Sequence, residues 1–473
     1  MIEFEKGISH MKYGSRVEEE KDTQKSAVER LRVYRKDLMD ILQTRSTETV
    51  MANMDAALVS WREQSSSAAE EWLSDNNNRI NLFQISGIRD AKWDDEPMDS
   101  ERAAQLLAIK RLILSIKVMA EADDAEVAAR KLDQILNECA DTRFINDTAI
   151  DTLARMGKIG GDRLMRIMRT PEMPDIVRAR VALSMLRYGQ QMKNADKLAT
   201  EVLERIVASE SMLVLNSAIE LAGLIGADVG RSALDIISKN IKNWPAEKRI
   251  WLERDLISTR LTIDPSYQDS VAIDLRGRAW VSKSGIVFGA LIPRGDFEKF
   301  VASHGDRLEK MAETLTKINA AFGKEPVMYV DLIMEGKKGD GWTQNSVYAS
   351  AEIIGHSRVT EAVNAQGIGH EACERWENKG FVDAGMEREY LQMMGDVYSD
   401  SVLDKFRLSH RMDIPTHAGH PWDGSREYIA ELGSTLLVDP EAVKRLFDPN
   451  KDKVAFDALE SLEKRLQQFR AGK

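Results

Sequence analysis

Six consecutive residues, Gly369-His370-Glu371-Ala372-Cys373-Glu374, bring an imidazole, two carboxylates and a thiol together. On an α-helix, positions i and i+4 share a face, so His370 and Glu374 can hold one divalent cation between them. Glu371, next to His370, adds a second carboxylate to the group. Histidines concentrate around this segment: of the seven in the chain, His356, His370, His410, His417 and His420 fall between residues 356 and 420. The stretch His417-Ala418-Gly419-His420 supplies two further nitrogen donors. Cys373 can serve as a nucleophile if His417 or His420 reaches it, although the ordinary role of such a cysteine is packing in a core.

These side chains need a helix to align them and a scaffold to hold that helix. The order of elements upstream supplies both. RAWVSKSGIVFGALIP (278–293) reads as two short strands broken by Lys283-Ser284-Gly285, a hairpin. DFEKFVASHGDRLEKMAETLTKINAAF (296–322) reads as a helix with Asp296 as its N-cap. PVMYVDLIM (326–334) and SVYASAEII (346–354) read as strands separated by the Gly-rich EGKKGDGW. That loop lacks the order of a phosphate-binding loop, so Lys337 and Lys338 mark a solvated hairpin tip. Residues 357–380 then read as the helix bearing His370, ending at Gly380, with Gly367 and Gly369 weakening its first half. Trp376, Trp422 and the Met393-Met394 pair are expected mainly to fill cores.

Ahead of residue 265 the pattern is helical. Residues 16–72 carry the spacing of one or two long amphipathic helices, and 74–100, rich in Asn, Asp, Gly and Pro, form a connecting segment. From 101 to about 262 a weak repeat runs through AIDTLARMG, VALSMLRYG and AIELAGLIG, ending at Gly157, Gly189 and Gly226, each followed by a second apolar helix. PEMPDIVRARVALSML resembles a HEAT repeat, with a proline at its entry, Val177 and Ala182 facing inward and Arg178 at a position where that family often has a basic residue. About three units are covered, and such repeats usually offer an extended surface to a protein partner.

The segment around His370 resembles the zinc-peptidase motif H-E-x-x-H, with Glu374 where the second histidine would stand. Further on, Glu427, Tyr428, Ile429, Ala430 and Glu431 reproduce the E-aromatic-x-A-E run of the anthrax-lethal-factor and Pro-Pro endopeptidase group of zincins. The resemblance covers residues 270–470. It implies an α/β zincin-like domain and a zinc ion, Zn2+, that the substitution weakens or abolishes. It also implies metal ligands at His370, Glu374 and Glu427, with Glu431 one turn on; that His/Glu/Glu set suits a hard-to-borderline divalent ion but carries one negative charge more than His/His/Glu, which makes the ion a weaker Lewis acid. Glu371 takes the part of general base. His420 stands where the group has a tyrosine, and so becomes the stabiliser of the oxyanion. A peptide would lie along the edge strand at 346–354.

Composition bounds the rest. A chain of 473 residues holds two or three domains, and a formal charge of −11 argues against a general nucleic-acid binder. Two distant cysteines, Cys139 and Cys373, imply no disulfide framework and fit a reducing compartment. The N-terminus has no signal-peptide core, and no apolar run approaches the ~20 residues of a membrane span. The expectation is therefore a cytoplasmic, mostly α protein, although export by another route or a place in a virus particle would leave the same sequence. It would comprise an N-terminal arm and connector (1–100), a HEAT-like helical repeat region (101–264) and an α/β zincin-like domain (265–473). Its expected function is a metal-dependent peptidase, or a catalytically degenerate relative, whose repeats select a protein or peptide partner. No nucleic-acid or membrane partner is expected, and oligomeric state is left open. The alternative is a non-enzymatic interaction protein that keeps the domain as a rigid module.

Overall fold

The structure is a computed structural model. Apart from single positions it describes residues 43–64, 111–119, 125–138, 143–188, 194–292, 296–322, 325–335, 341–342, 345–377, 430, 433–441 and 448–470. The connector at 74–100, most of the N-terminal arm and the expected helix end at Gly380 lie outside these residues. The described part is mostly helical and carries one small mixed sheet. Within it no helix is long and apolar enough to cross a membrane.

The N-terminal half is a stack. Helix α1 (Thr47–Gln64) is tied to α2 (Ala125–Glu138) by the Lys131–Asp55 ion pair. Helix pairs follow: α3 (Arg143–Arg155) with α4 (Gly157–Arg169), α5 (Asp175–Tyr188) with α6 (Ala195–Ile206), and α7 (Met212–Ile225) with α8 (Ala227–Ile241). Helix α9 (Ala246–Ile263) ends the series. The first helices α3, α5, α7 and α9 pack on one another in order, and each second helix folds back on its own partner. One continuous apolar core results, with Leu153, Leu183, Leu215 and Leu252 all inaccessible to solvent.

Two local devices recur in this stack. Gly157 and Gly226 sit in the turns of the first and third pairs with φ of +61° and +117°, where a side chain would be strained. Three and four residues later Gly160 and Gly230 let the second helix approach so closely that a Cβ would strike the carbonyl oxygens of Leu153 and Ala222. Arg178 does different work. Buried in α5, it donates to the carbonyls of Met168 (2.6 Å), Thr170 (2.6 Å), Pro171 (2.9 Å) and Met173 (3.0 Å). The end of a helix leaves carbonyls without partners, and one guanidinium bonds to one in the last turn of α4 and three in the loop after it.

The sheet lies between two helical layers. After a 3-10 turn at Pro265–Tyr267 and the short α10 (Gln268–Asp274) come β1 (Ala279–Val281) and β2 (Val287–Gly289). These form the expected antiparallel hairpin, turning at Gly285 with φ +83°. Helix α11 (Phe297–Phe322) follows, capped by Asp296, whose carboxylate accepts the Lys299 N–H at 3.0 Å. Then come β3 (Tyr329–Ile333), β4 (Gly341–Trp342), β5 (Val347–Ser350), α12 (Ala351–Gly355) and α13 (Glu361–Glu377). The strand order is β1-β2-β3-β5-β4, with β2, β3 and β5 mutually parallel and β4 antiparallel to β5.

Side chains alternate across a strand, and here both faces are covered. Phe288, Val330, Leu332, Val347 and Ala349 join a core with α11 and α13. Val287 and Tyr329 point the other way, into a core with Ile257 and Leu261 of α9, Val271 of α10 and Leu275 just after it. The last helix of the stack is thus also the second layer over the sheet. Its polar residues seal the joint: Arg254 Nε donates to the Asp331 carboxylate at 2.6 Å, and Asp255 accepts the Asn345 N–H (3.0 Å) and the Ser346 hydroxyl (3.1 Å). Burial, with Asp331 beside it, pushes the Tyr329 phenol well above its ordinary range. At the far end α14 (Ser434–Val438) and α15 (Lys453–Arg470) pack along α11, and Leu436, Leu459, Leu462 and Leu466 complete the core of the stack.

Three sequence expectations for this region change. The strand read at 346–354 stops at Ser350, because the Ser350 side chain accepts the Ile353 N–H (3.4 Å) and starts α12. The strand at 326–334 contracts to 329–333; Val327 ahead of it bonds both ways with the Asn319 side chain at 2.8 and 3.0 Å. The two strands are parallel rather than arms of one hairpin, and β5 is not the edge, because β4 pairs with it through Gly341↔Tyr348 and Trp342↔Val347.

Candidate metal centre

Helix α13 is positioned from both ends and one side. Thr360 begins it, its hydroxyl accepting the Val363 N–H at 3.3 Å. The Asn364 amide donates to the Ile354 carbonyl at 3.3 Å, and the Gln366 amide donates to the Ser434 hydroxyl at 2.9 Å. Ile368, Ala372 and Cys373 enter the core shared with α11. Gly369 permits the approach, since a Cβ there would lie 3.1 Å from Thr314 Cγ2 and 3.2 Å from Ile318 Cδ1. The glycines that looked like weak points in the helix include one at a tightly packed position. Cys373 is buried among these apolar groups.

The neighbouring face carries the polar cluster. His370 and Glu374 are each 8% exposed and Glu371 is half-buried. His370 Nε2 lies 3.8 Å from Glu374 Oε1, beyond hydrogen-bond range. One donor atom from each of His370, Glu371 and Glu374 can be chosen so that all lie within 4.8 Å of one another. A tetrahedral ion with ligands at about 2.1 Å separates them by about 3.4 Å. The imidazole–carboxylate gap therefore needs to close by only a few tenths of an ångström. Donor chemistry, spacing and burial fit a divalent cation.

The later segment approaches the same helix. Of the run from Glu427 to Glu431 the structure describes Ala430, which is fully buried in the core that holds Ile368, Ala372 and Cys373. Glu427, His420, His417, His410 and Glu431 lie outside the described residues, as do Trp422, Met393, Met394 and the Trp376 side chain. His356 is exposed at the end of α12, its N–H bonded to the Ile353 carbonyl at 3.1 Å.

One participant had no signal in the sequence. Arg375, next to Glu374, is 1% exposed and donates from Nη2 to the Glu325 carbonyl at 2.8 Å. Burial pulls its guanidinium below the ordinary range, against the opposing pull of Glu325, Glu220 and Asp255. An arginine after H-E-x-x-E reads as a solvated helix end. Only the fold places it inside.

No protein-family model, curated protein or solved structure matches this chain.

Proposed function

We propose that the chain is a metal-dependent peptidase of zincin type, or a degenerate relative of one, with HEAT-like repeats that engage a protein partner. The observation that carries this reading is the convergence of buried His370 and Glu374 and half-buried Glu371 on one helix packed beneath the sheet. His370 and Glu374 would hold the ion from α13 and Glu427 from the later segment, whose Ala430 packs in the same core. A bound zinc ion supplies Lewis acidity toward a peptide carbonyl and makes a bound water acidic. Glu371 would take and return a proton, and His420 is the residue proposed to steady the developing oxyanion. The second carboxylate among the ligands weakens the Lewis acid, which favours slow turnover or a binding role.

Zinc titration by calorimetry on the full chain tests this reading. Glu374→His should bind zinc more tightly than wild type, because it replaces a charged oxygen donor by a second imidazole. Glu427→Ala in that background should abolish the gain. Equal, negligible binding by all three proteins would leave the rigid-module alternative in its place.

A further inference from the structure

A chain of buried charges runs from the helical stack into α13. On α5, Arg187 donates to both carboxylate oxygens of Glu325, from Nε at 3.0 Å and from Nη2 at 2.8 Å. The same Nη2 reaches Glu220 of α7 at 3.0 Å, and Arg180 Nη1 lies 3.8 Å from that Glu220 oxygen. The Arg187, Glu220 and Glu325 side chains are 7%, 2% and 7% exposed. The Glu325 carbonyl then accepts Arg375 Nη2 at 2.8 Å, one residue past Glu374.

Glu325 is held in a second unusual way. It precedes β3 with φ +51°, the left-handed region that glycine tolerates and glutamate avoids. Such a conformation persists only where the surroundings over-determine it. Buried ion pairs, for their part, are seldom more stabilising than apolar packing. Both costs fall on a residue that bridges the stack and α13, with its carboxylate held by the stack and its carbonyl holding α13.

We infer that Glu325 and Arg187 are positioning residues for the His370–Glu374 pair. Clamped by Arg187, Glu325 presents a fixed carbonyl to Arg375. That contact sets the rotation of the last turns of α13, on which Glu374 lies, and ties it to the stack. A change in how α5 and α7 pack, such as a partner bound to the repeats could cause, would reach Glu374 through this contact. The metal-binding part of the inference rests on the function proposed above; the clamp on α13 does not.

The test uses the full chain as wild type, Glu325→Gln, Arg187→Met and, as a control for general destabilisation, Leu234→Ala in the core of α8. Cobalt(II) is the metal probe, since its visible spectrum reports coordination geometry, and amide hydrogen exchange reports α13 directly. Glu325→Gln and Arg187→Met should speed exchange across 366–377, weaken cobalt binding by about tenfold or more and alter the spectrum. Leu234→Ala should lower the thermal midpoint without changing the bound spectrum. Exchange in α13 no faster than in the control overturns the clamp, whatever the midpoints do. If wild type binds no cobalt, the metal reading fails and the exchange data alone decide the clamp.

Discussion

Replacing Arg254 by methionine should cost about 4 kcal/mol of stability, because it leaves a carboxylate buried without its cation and removes the cation from two aromatic rings. Asp331 is 1% exposed and accepts three donors: Arg254 Nε at 2.6 Å, the Leu291 N–H at 3.0 Å and the Tyr329 hydroxyl at 3.1 Å. Breaking a buried pair from one side typically costs about 3–5 kcal/mol. Two donors remain to Asp331, each contributing about 1 kcal/mol, which points to the lower end of that range. The guanidinium also lies 4.9 Å from the Trp251 ring and 5.1 Å from the Tyr348 ring, and losing those contacts adds roughly 0.5–1 kcal/mol. Asp331→Asn keeps an acceptor for Leu291 and Tyr329 while removing the charge, so the double variant should be more stable than the sum of the singles predicts, by about 2 kcal/mol. Urea unfolding followed by tryptophan fluorescence gives the four free energies by linear extrapolation. A loss under ~1 kcal/mol for Arg254→Met, with additive singles, would refute the reasoning; a surface ion pair gives that result, and α9 would then not seal the sheet.

Two further outcomes are expected. Gly369→Ala gains about 1 kcal/mol of helix propensity but forces a methyl to within 3.1–3.2 Å of Thr314 and Ile318; overpacking of about 1–3 kcal/mol should prevail, and thermal unfolding should show a lower midpoint rather than a higher one. Burial, together with the hydrogen bond from its hydroxyl to Asp274, raises the Tyr267 phenol to about 12. The folded state therefore keeps a proton that the unfolded chain releases near pH 10, so this stabilisation is complete below about pH 10 and is lost as pH rises toward 12. Wild type should lose more stability across that window than Tyr267→Phe, as read by urea midpoints, and equal slopes would count against the assignment.

The local pattern determined a good deal. Asp296 ahead of an amphipathic run marks a helix start, and the carboxylate caps it. Lys283-Ser284-Gly285 between apolar pairs marks the β1–β2 hairpin. The recurring Gly157 and Gly226 mark inter-helix turns, and both have positive φ. His370 and Glu374 could be paired on one face from helical periodicity alone. These features depend on a few neighbouring residues, and sequence displays such neighbourhoods directly.

Long-range pairing was decided elsewhere. Nothing in SVYASAEII announces that Ser350 ends a strand by capping a helix, because Ile353 and Ile354 suit either structure. The antiparallel edge beside β5 is a two-residue strand, too short to leave a period. Helix α9 reads as the last of a helical series, yet its Arg254 and Asp255 bond to Asp331 and Asn345, 77 and 90 residues away. Arg375 and Glu325 likewise look like solvated charges until Arg187 of α5 holds the Glu325 carboxylate and Arg375 reaches its carbonyl. A buried charge is recognisable only by the partner that neutralises it, and for these residues the partner is brought near by the packing of helices on the sheet, an arrangement that no short stretch of sequence encodes.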